Sequence, residues 1–478
     1  MVRRVLEFGL VIAIALAVGG FGGTEPITWG ITQSLIILLG LLLVMSPPGN
    51  TSRTGRRLLQ IPIALVAWVA TQWLASRYGS IGFDTHAIET QGLALITSII
   101  AFYIALEVAR ERESGRRLAL CLVGVGLFEA VIGLGQYLTG WQQIWNVQRR
   151  FYTGSATGTY VNHNHFAGLV EMIFPLVLGL AFFHAQKARH QSRHSSVRDF
   201  LDQLGHPEML KSFLLLLVAT VLFLATVFSL SRMGMISMLA SIGVMGAVLC
   251  TGKNRSLLAA ALTLILVASG VAASMWVGVA PVVEHFGQLP RNEAPAQSSE
   301  GRAALWRDTL KLIREHPLTG VGLGCFGVAF TTVQSIQLTY VADHAHNDYL
   351  ELAAELGLPA AVLFFSLLYW LTGRILRASR RARSSLIRAL ALGSLGGISA
   401  LLVHSVADFN LYIPANGLVF AVLLGMGYAM SLDEPTGDGA LSSRPAGEAS
   451  SRGAVLRRSA RTPEEEEVKA GVSGPQSS

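Results

Sequence analysis

The chain has 478 residues, 51% of them hydrophobic and only 14% charged, with a mean hydropathy of +0.49. Soluble proteins carry about 25% charged residues, and a bilayer crossing takes about 20 mainly apolar ones. Runs of that kind recur from Val5–Gly20 to Leu257–Ala280, which excludes a soluble fold. The net charge of +7 is therefore first a question of membrane sidedness, not the mark of a nucleic acid partner.

In chain order the apolar runs predict an all-α polytopic membrane protein of about twelve spans. They lie at 5–22, 27–46, 58–76, 89–109, 117–139, 163–185, 211–230, 234–251, 257–280, 347–371, 389–407 and 412–431. The first, behind Arg3 and Arg4, has the outline of a signal peptide, but with eleven spans after it a retained helix is expected. Assigning connections alternately to the two sides puts 28 of the 37 Lys and Arg on one side, six of them in the tail. The positive-inside rule makes that side cytoplasmic, with both termini there. Residues 1–430 are expected to form one transmembrane domain with a long outward loop at 281–346. Residues 431–478, rich in Gly, Ser, Pro and Arg, are expected to be a disordered cytoplasmic tail. Three cysteines, at 121, 250 and 325, cannot build a disulfide framework.

Polar residues gather at the outward ends of the spans, and ionisable groups there are functional candidates. Span six opens with Asn162-His163-Asn164-His165, and span seven ends at Ser231-Arg232. The long loop carries Gly301-Arg302, with Trp306 one turn later. Span ten opens with Asp343-His344-Ala-His346-Asn347-Asp348 and continues through Glu351 and Glu355. The last outward turn is Asp408-Phe-Asn410-Leu-Tyr412.

A helix starting near Asp343 would align Asn347, Glu351 and Glu355 on one face, with His344, Asp348 and Glu351 beside it. His163 and Glu171 would likewise share a face of span six. A carboxylate-backed imidazole suits a general base. The His-X-His pairs admit three readings: metal ligands, which positions i and i+2 of a helix cannot easily be; interfacial polar residues; or a catalytic or substrate-binding group, the reading favoured for His346. Arg232 either snorkels to the interface or, with Arg302 and one of Arg149 and Arg150, clamps an anion.

Gly322-Leu-Gly324-Cys-Phe-Gly327 matches a dinucleotide fingerprint literally, but it follows a His-Pro turn and not a strand. It is read as a loop folding over the site. No P-loop and no Asp-X-Asp pair occurs, so no cofactor is expected. Arginines beside a backed histidine suit group transfer from a lipid-linked diphosphate. Such a leaving group needs cationic stabilisation, and a hydroxyl acceptor needs a base.

From Gly158 to Tyr428 the chain resembles the bacterial O-antigen ligase and polymerase superfamily. The resemblance rests on Gly158-Thr-Tyr-Val-Asn-His-Asn-His-Phe-Ala-Gly168, Ser231-Arg-Met-Gly234, Gly301-Arg302 with Trp306, His316-Pro-Leu-Thr-Gly-Val-Gly322 and His344-Ala-His-Asn-Asp-Tyr-Leu-Glu351. His346-Asn347, nine residues and Gly357 fit the ligase pattern, while Ala360 departs from its closing position. The resemblance implies a GT-C-like helical fold and metal-independent, inverting transfer of glycan from undecaprenyl diphosphate, on the periplasmic face of the bacterial inner membrane. The acceptor would be lipid A core, another glycan or another hydroxyl. His346 would be the base, Arg232 and Arg302 the diphosphate ligands, and Asn347, Glu351, His344, His163 and Asn164 supports. The other readings are a lipid-linked glycan transporter or flippase, and a protein O-oligosaccharyltransferase.

Overall fold

The computed structural model describes residues 1–46, 53–79, 84–191, 205–250, 299–335 and 342–432. The predicted ninth span (257–280), the start of the long loop (281–298) and the tail from 433 onward lie outside the described residues.

Fourteen α-helices are described. The first eight are α1 (Val2–Gly19), α2 (Pro26–Met45), α3 (Arg53–Tyr78), α4 (Thr85–Ala109), α5 (Arg112–Thr139), α6 (His163–Gln191), α7 (Pro207–Phe228) and α8 (Arg232–Cys250). They are followed by α9 (Ser299–Glu315), α10 (Phe326–Phe330), α11 (Asp348–Leu356), α12 (Leu358–Arg381), α13 (Ser385–His404) and α14 (Pro414–Leu432). Ten of the described helices are long and apolar enough to cross a membrane, so the chain is an all-α polytopic membrane protein. Helix α1 forms as expected; it is 18 residues long, carries Arg3, Arg4 and Glu7, and is not among those ten.

The predicted tenth span is corrected. It is not one helix over 347–371 but two, α11 and α12, broken at Gly357, whose φ is +77°. A Cβ on Gly357 would meet the Leu318 carbonyl oxygen at 2.4 Å, and one on Gly320 would meet that of Glu355 at 2.1 Å. The His-Pro-Leu-Thr-Gly segment therefore packs backbone to backbone against the break. Leu358 N–H donates to the Pro317 carbonyl (2.8 Å) and Gly322 N–H to that of Glu355 (3.1 Å). From α3, the Gln72 amide donates to the Thr319 and Glu355 carbonyls, both at 2.8 Å. The loop containing Gly322 and Gly324 thus buttresses the C-terminal end of α11 and does not fold over its polar N-terminal end.

Helices α6 and α14 are the centre of the bundle, with 89% of their apolar windows buried, against 22% in α3. Helix α13 reaches α6 through small residues. A Cβ on Gly393 would lie 2.7 Å from Leu176 Cα, and one on Gly397 would lie 2.3 Å from the Met172 carbonyl oxygen. Small residues let membrane helices approach this closely, and here they bring Glu171 of α6 beside His404 of α13.

Contacts between helix ends tie the first helices together at both of their ends. Arg117 forms a two-point pair with Glu7 (2.7 and 2.8 Å), and Arg3 pairs with Glu107 at 2.9 Å. These pairs join the start of α1 to the end of α4 and the start of α5. At the other end, Thr159 Oγ1 donates to the Val18 carbonyl and Trp145 Nε1 to that of Gly19, both at 2.8 Å. Trp145 belongs to a short hairpin, Gln143–Ile144 (β1) against Val147–Gln148 (β2).

Candidate active site

The predicted helix from Asp343 does not exist. Residues 343–347 are extended or turning, and α11 begins at Asp348 with Asn347 as its cap. Asn347 Oδ1 accepts from the Tyr349 and Leu350 amides at 3.0 and 3.1 Å, satisfying two of the free N–H groups of the first turn. Its Nδ2 donates to the Val406 carbonyl at 2.9 Å. The Asp348 amide donates to the carbonyls of Ser405 (3.0 Å) and Asp408 (3.2 Å). The turn between α13 and α14 therefore wraps the start of α11. Ahead of the cap, His346 has φ +48°, a left-handed conformation that costs a non-glycine residue about 1–2 kcal/mol.

This geometry turns His346 toward Asp408, whose Oδ1 lies 3.5 Å from His346 Nδ1. The same oxygen is 3.8 Å from His165 Nε2, and Oδ2 is 3.7 Å from His404 Nε2. Three imidazole nitrogens thus face one carboxylate just beyond hydrogen-bond length. Burial alone would raise the Asp408 carboxyl, but its three imidazole partners outweigh that and hold it well below the usual carboxylate range. Phe409 joins the rings together. It stacks on His344 (3.9 Å, 12°) and meets His346 and His165 edge-on at 5.0 and 4.7 Å.

The expected pairing of His344 with Glu351 is present, at 2.6 Å, although His344 sits before the helix. The other oxygen of Glu351 accepts the Ala345 amide at 2.8 Å. Burial pushes the Glu351 carboxyl up to about 8 and the His344 ring down, so both shifts favour a neutral pair. Glu355, accepting from the Phe326 amide (3.0 Å) and the Tyr412 hydroxyl (2.6 Å), is likewise raised by burial to about 8. A carboxyl raised on folding contributes stability below its unfolded value, and that contribution is lost as pH rises through the folded one. Glu351→Gln should therefore lessen the fall in melting temperature between about pH 5 and about pH 9. Thermal unfolding across that range in detergent checks it, and an unchanged slope would contradict the neutral pair.

The other predicted residues are placed as follows. His163 does not pair with Glu171. It opens α6, its Nδ1 lies 2.5 Å from the Ser229 carbonyl oxygen, and its ring lies on Tyr152 at 4.5 Å. Glu171 pairs instead with His404, whose Nδ1 is 3.0 Å from both its oxygens. Asn164 is half-buried, its amide held by Asn162 Oδ1 at 2.9 Å. Arg232 is the half-buried first residue of α8, directly after the turn that His163 touches. Arg302 lies in the first turn of α9, and its buried Nε has no hydrogen-bond partner among the described residues. One turn on, Trp306 Nε1 donates to the Ala345 carbonyl at 3.0 Å, linking the Arg302 helix to the residue before His346. Arg149 braces its own loop, donating to the Tyr152 and Ser155 carbonyls.

Asp408 and His404 received no role from the sequence. Their signal was present: an imidazole inside a span, with a carboxylate four residues later on the same face. The pairing across 62 positions with His346 is tertiary and leaves no local pattern.

Residues 215–365, about a third of the chain, match the family model described as O-antigen ligase (Wzy_C). No curated protein matches the chain. The matched segment contains Arg232, Arg302 and His346 but ends before His404 and Asp408.

Proposed function

We propose, for a chain whose residues 215–365 match the O-antigen ligase family model, that it transfers a glycan from undecaprenyl diphosphate to a hydroxyl acceptor on the periplasmic face of the bacterial inner membrane. The observation that carries this reading is His346 Nδ1 facing Asp408 Oδ1 at 3.5 Å. Asp408 fixes the tautomer with hydrogen on Nδ1, which leaves Nε2 as the proton acceptor. In the transfer step the acceptor O–H bond breaks and its proton moves to His346 Nε2. The freed oxygen attacks the anomeric carbon of the glycan, and the bond from that carbon to the diphosphate breaks. The electron pair leaves with the carrier diphosphate, and Arg232 and Arg302 hold the charge that develops there.

An apolar groove supports a long lipid substrate. It lies between α2, α3, α4, α12 and α14 and is lined by Leu65, Phe102, Phe364, Leu368, Leu411 and Tyr412. Tyr412, at its outward end, is 5.4 Å from the His344 ring, so an isoprenoid chain in the groove would approach the histidine cluster.

The test is transfer by the purified full-length protein in nanodiscs, supplied with an undecaprenyl-diphosphate glycan and candidate acceptors. Arg302→Ala should lower the rate about 10²–10³-fold, the usual loss for one charge-stabilising donor. Arg302→Lys should recover only part of it, because lysine cannot make the two-point contact. Full transfer by both Arg232→Ala and His346→Ala would refute the reading. The acceptor follows from a deletion strain: uncapped lipid A core with long carrier-linked chains for a ligase, and single-repeat lipopolysaccharide for a polymerase.

A further inference from the structure

Glu171 and His404 are both fully buried, at 0% exposure, where α6 crosses α13, and neither touches the reacting atoms in the step above. A buried ion pair is seldom worth more than apolar residues of the same volume. The Gly393–Gly397 contact would pack these two helices without it. What an apolar pair cannot do is set a charge beside Asp408. His404 does so: Nδ1 lies 3.0 Å from both Glu171 oxygens, and Nε2 faces Asp408 Oδ2 at ion-pair distance, 3.7 Å. An imidazole carries N–H on both nitrogens only as the imidazolium, and a carboxylate on each side is the arrangement that favours that form.

We propose that Glu171 and His404 are positioning residues, a buried ionic strut that fixes the Asp408 carboxylate and through it the ring of His346. The proposal rests on His346 being the base. The two oxygens of Asp408 divide the work. Oδ1 receives the Phe409 amide (2.9 Å) and faces His346 and His165, while Oδ2 faces His404. Without the strut Oδ2 loses its charged partner, the carboxylate is held from the Oδ1 side alone, and Oδ1 shifts from its alignment with His346 Nδ1. The titratable groups facing the strut are His165 from α6 and Asp408 itself. Asp348, the first residue of α11, accepts the hydroxyl of Ser405, the residue after His404, at 2.5 Å.

Two readouts test the strut on the full-length protein in nanodiscs. In 15N NMR of histidine-labelled protein, His346 should be one tautomer with hydrogen on Nδ1. His404→Gln or the isosteric Glu171→Gln should give a mixture. This readout needs no turnover, so it stands even if the transfer reading fails. In the transfer assay each variant should lower kcat about 10–100-fold with donor KM within about twofold, and add nothing in a His346→Asn background, since residues acting as a unit are non-additive. An unchanged tautomer, wild-type kcat, or an equal further loss in the His346→Asn background overturns the proposal. Failure of both variants to accumulate in the membrane does so too, because it assigns the pair to folding alone.

Discussion

The His346→Asn protein should accumulate and melt like the parent while transferring glycan about 10²–10⁴-fold more slowly, the usual contribution of a positioned general base. Asparagine is the informative replacement because the residue sits at φ +48°. Asparagine tolerates the left-handed region better than other non-glycine residues, and its amide retains a donor for Asp408. It has no nitrogen that takes up a proton. Alanine removes the base and also meets the backbone penalty of about 1–2 kcal/mol, so His346→Ala should melt below His346→Asn while being equally inactive. Parallel melting curves and transfer rates separate the two effects. A His346→Asn protein within a few-fold of the parent rate would remove the histidine from the chemistry.

The helical, membrane-spanning class was legible because apolar run length is a local property. The limits failed where tertiary contacts intervened. Within 347–371 the local mark of the break is Gly357 followed by Pro359 in the first turn of α12, a stop and a start that the continuous apolar run hides. The Gly357 φ of +77° is required by the Leu318 and Gly320 backbone, nearly forty residues earlier. The same holds for the site. Helical spacing puts His344, Asp348 and Glu351 on one face, and His344 does meet Glu351 at 2.6 Å, but from the extended segment ahead of the helix. His163 and Glu171 fit the same periodicity, yet Glu171 turns to α13, where Gly393 and Gly397 let α6 approach and bring it to His404. Helical spacing finds which residues can share a face, and packing decides which helix that face meets.

Two carboxyls lie beside the ring cluster of His344, Phe409 and His346, and their surroundings drive their protonation apart. Glu351, buried against a neutral ring, rises to about 8, whereas Asp408, among three imidazoles, falls well below the usual range. Such a split assigns roles. The neutral carboxyl fixes His344 and the Ala345 amide, and so the backbone that leads into His346. The ionised one faces the His346 ring itself.

Asp408→Asn should consequently cost more than any substitution at Glu351. The exchange preserves shape but reverses the hydrogen-bond code, because an amide nitrogen placed toward His346 Nδ1 favours the tautomer with hydrogen on Nε2. That tautomer cannot accept a proton at the atom facing the acceptor. In hydroxyl-activating His–Asp pairs the same change lowers kcat by about 10⁴, and a loss of about 10³-fold or more is expected here. Donor KM should move little, since in the proposed step the diphosphate ligands are Arg232 and Arg302 and not Asp408. Raising pH should not restore the rate, because the fault is the position of a proton and not its affinity. A large KM change with kcat preserved would instead make Asp408 a substrate ligand. Full recovery at alkaline pH would mean that His346 is deprotonated by bulk water without help from Asp408.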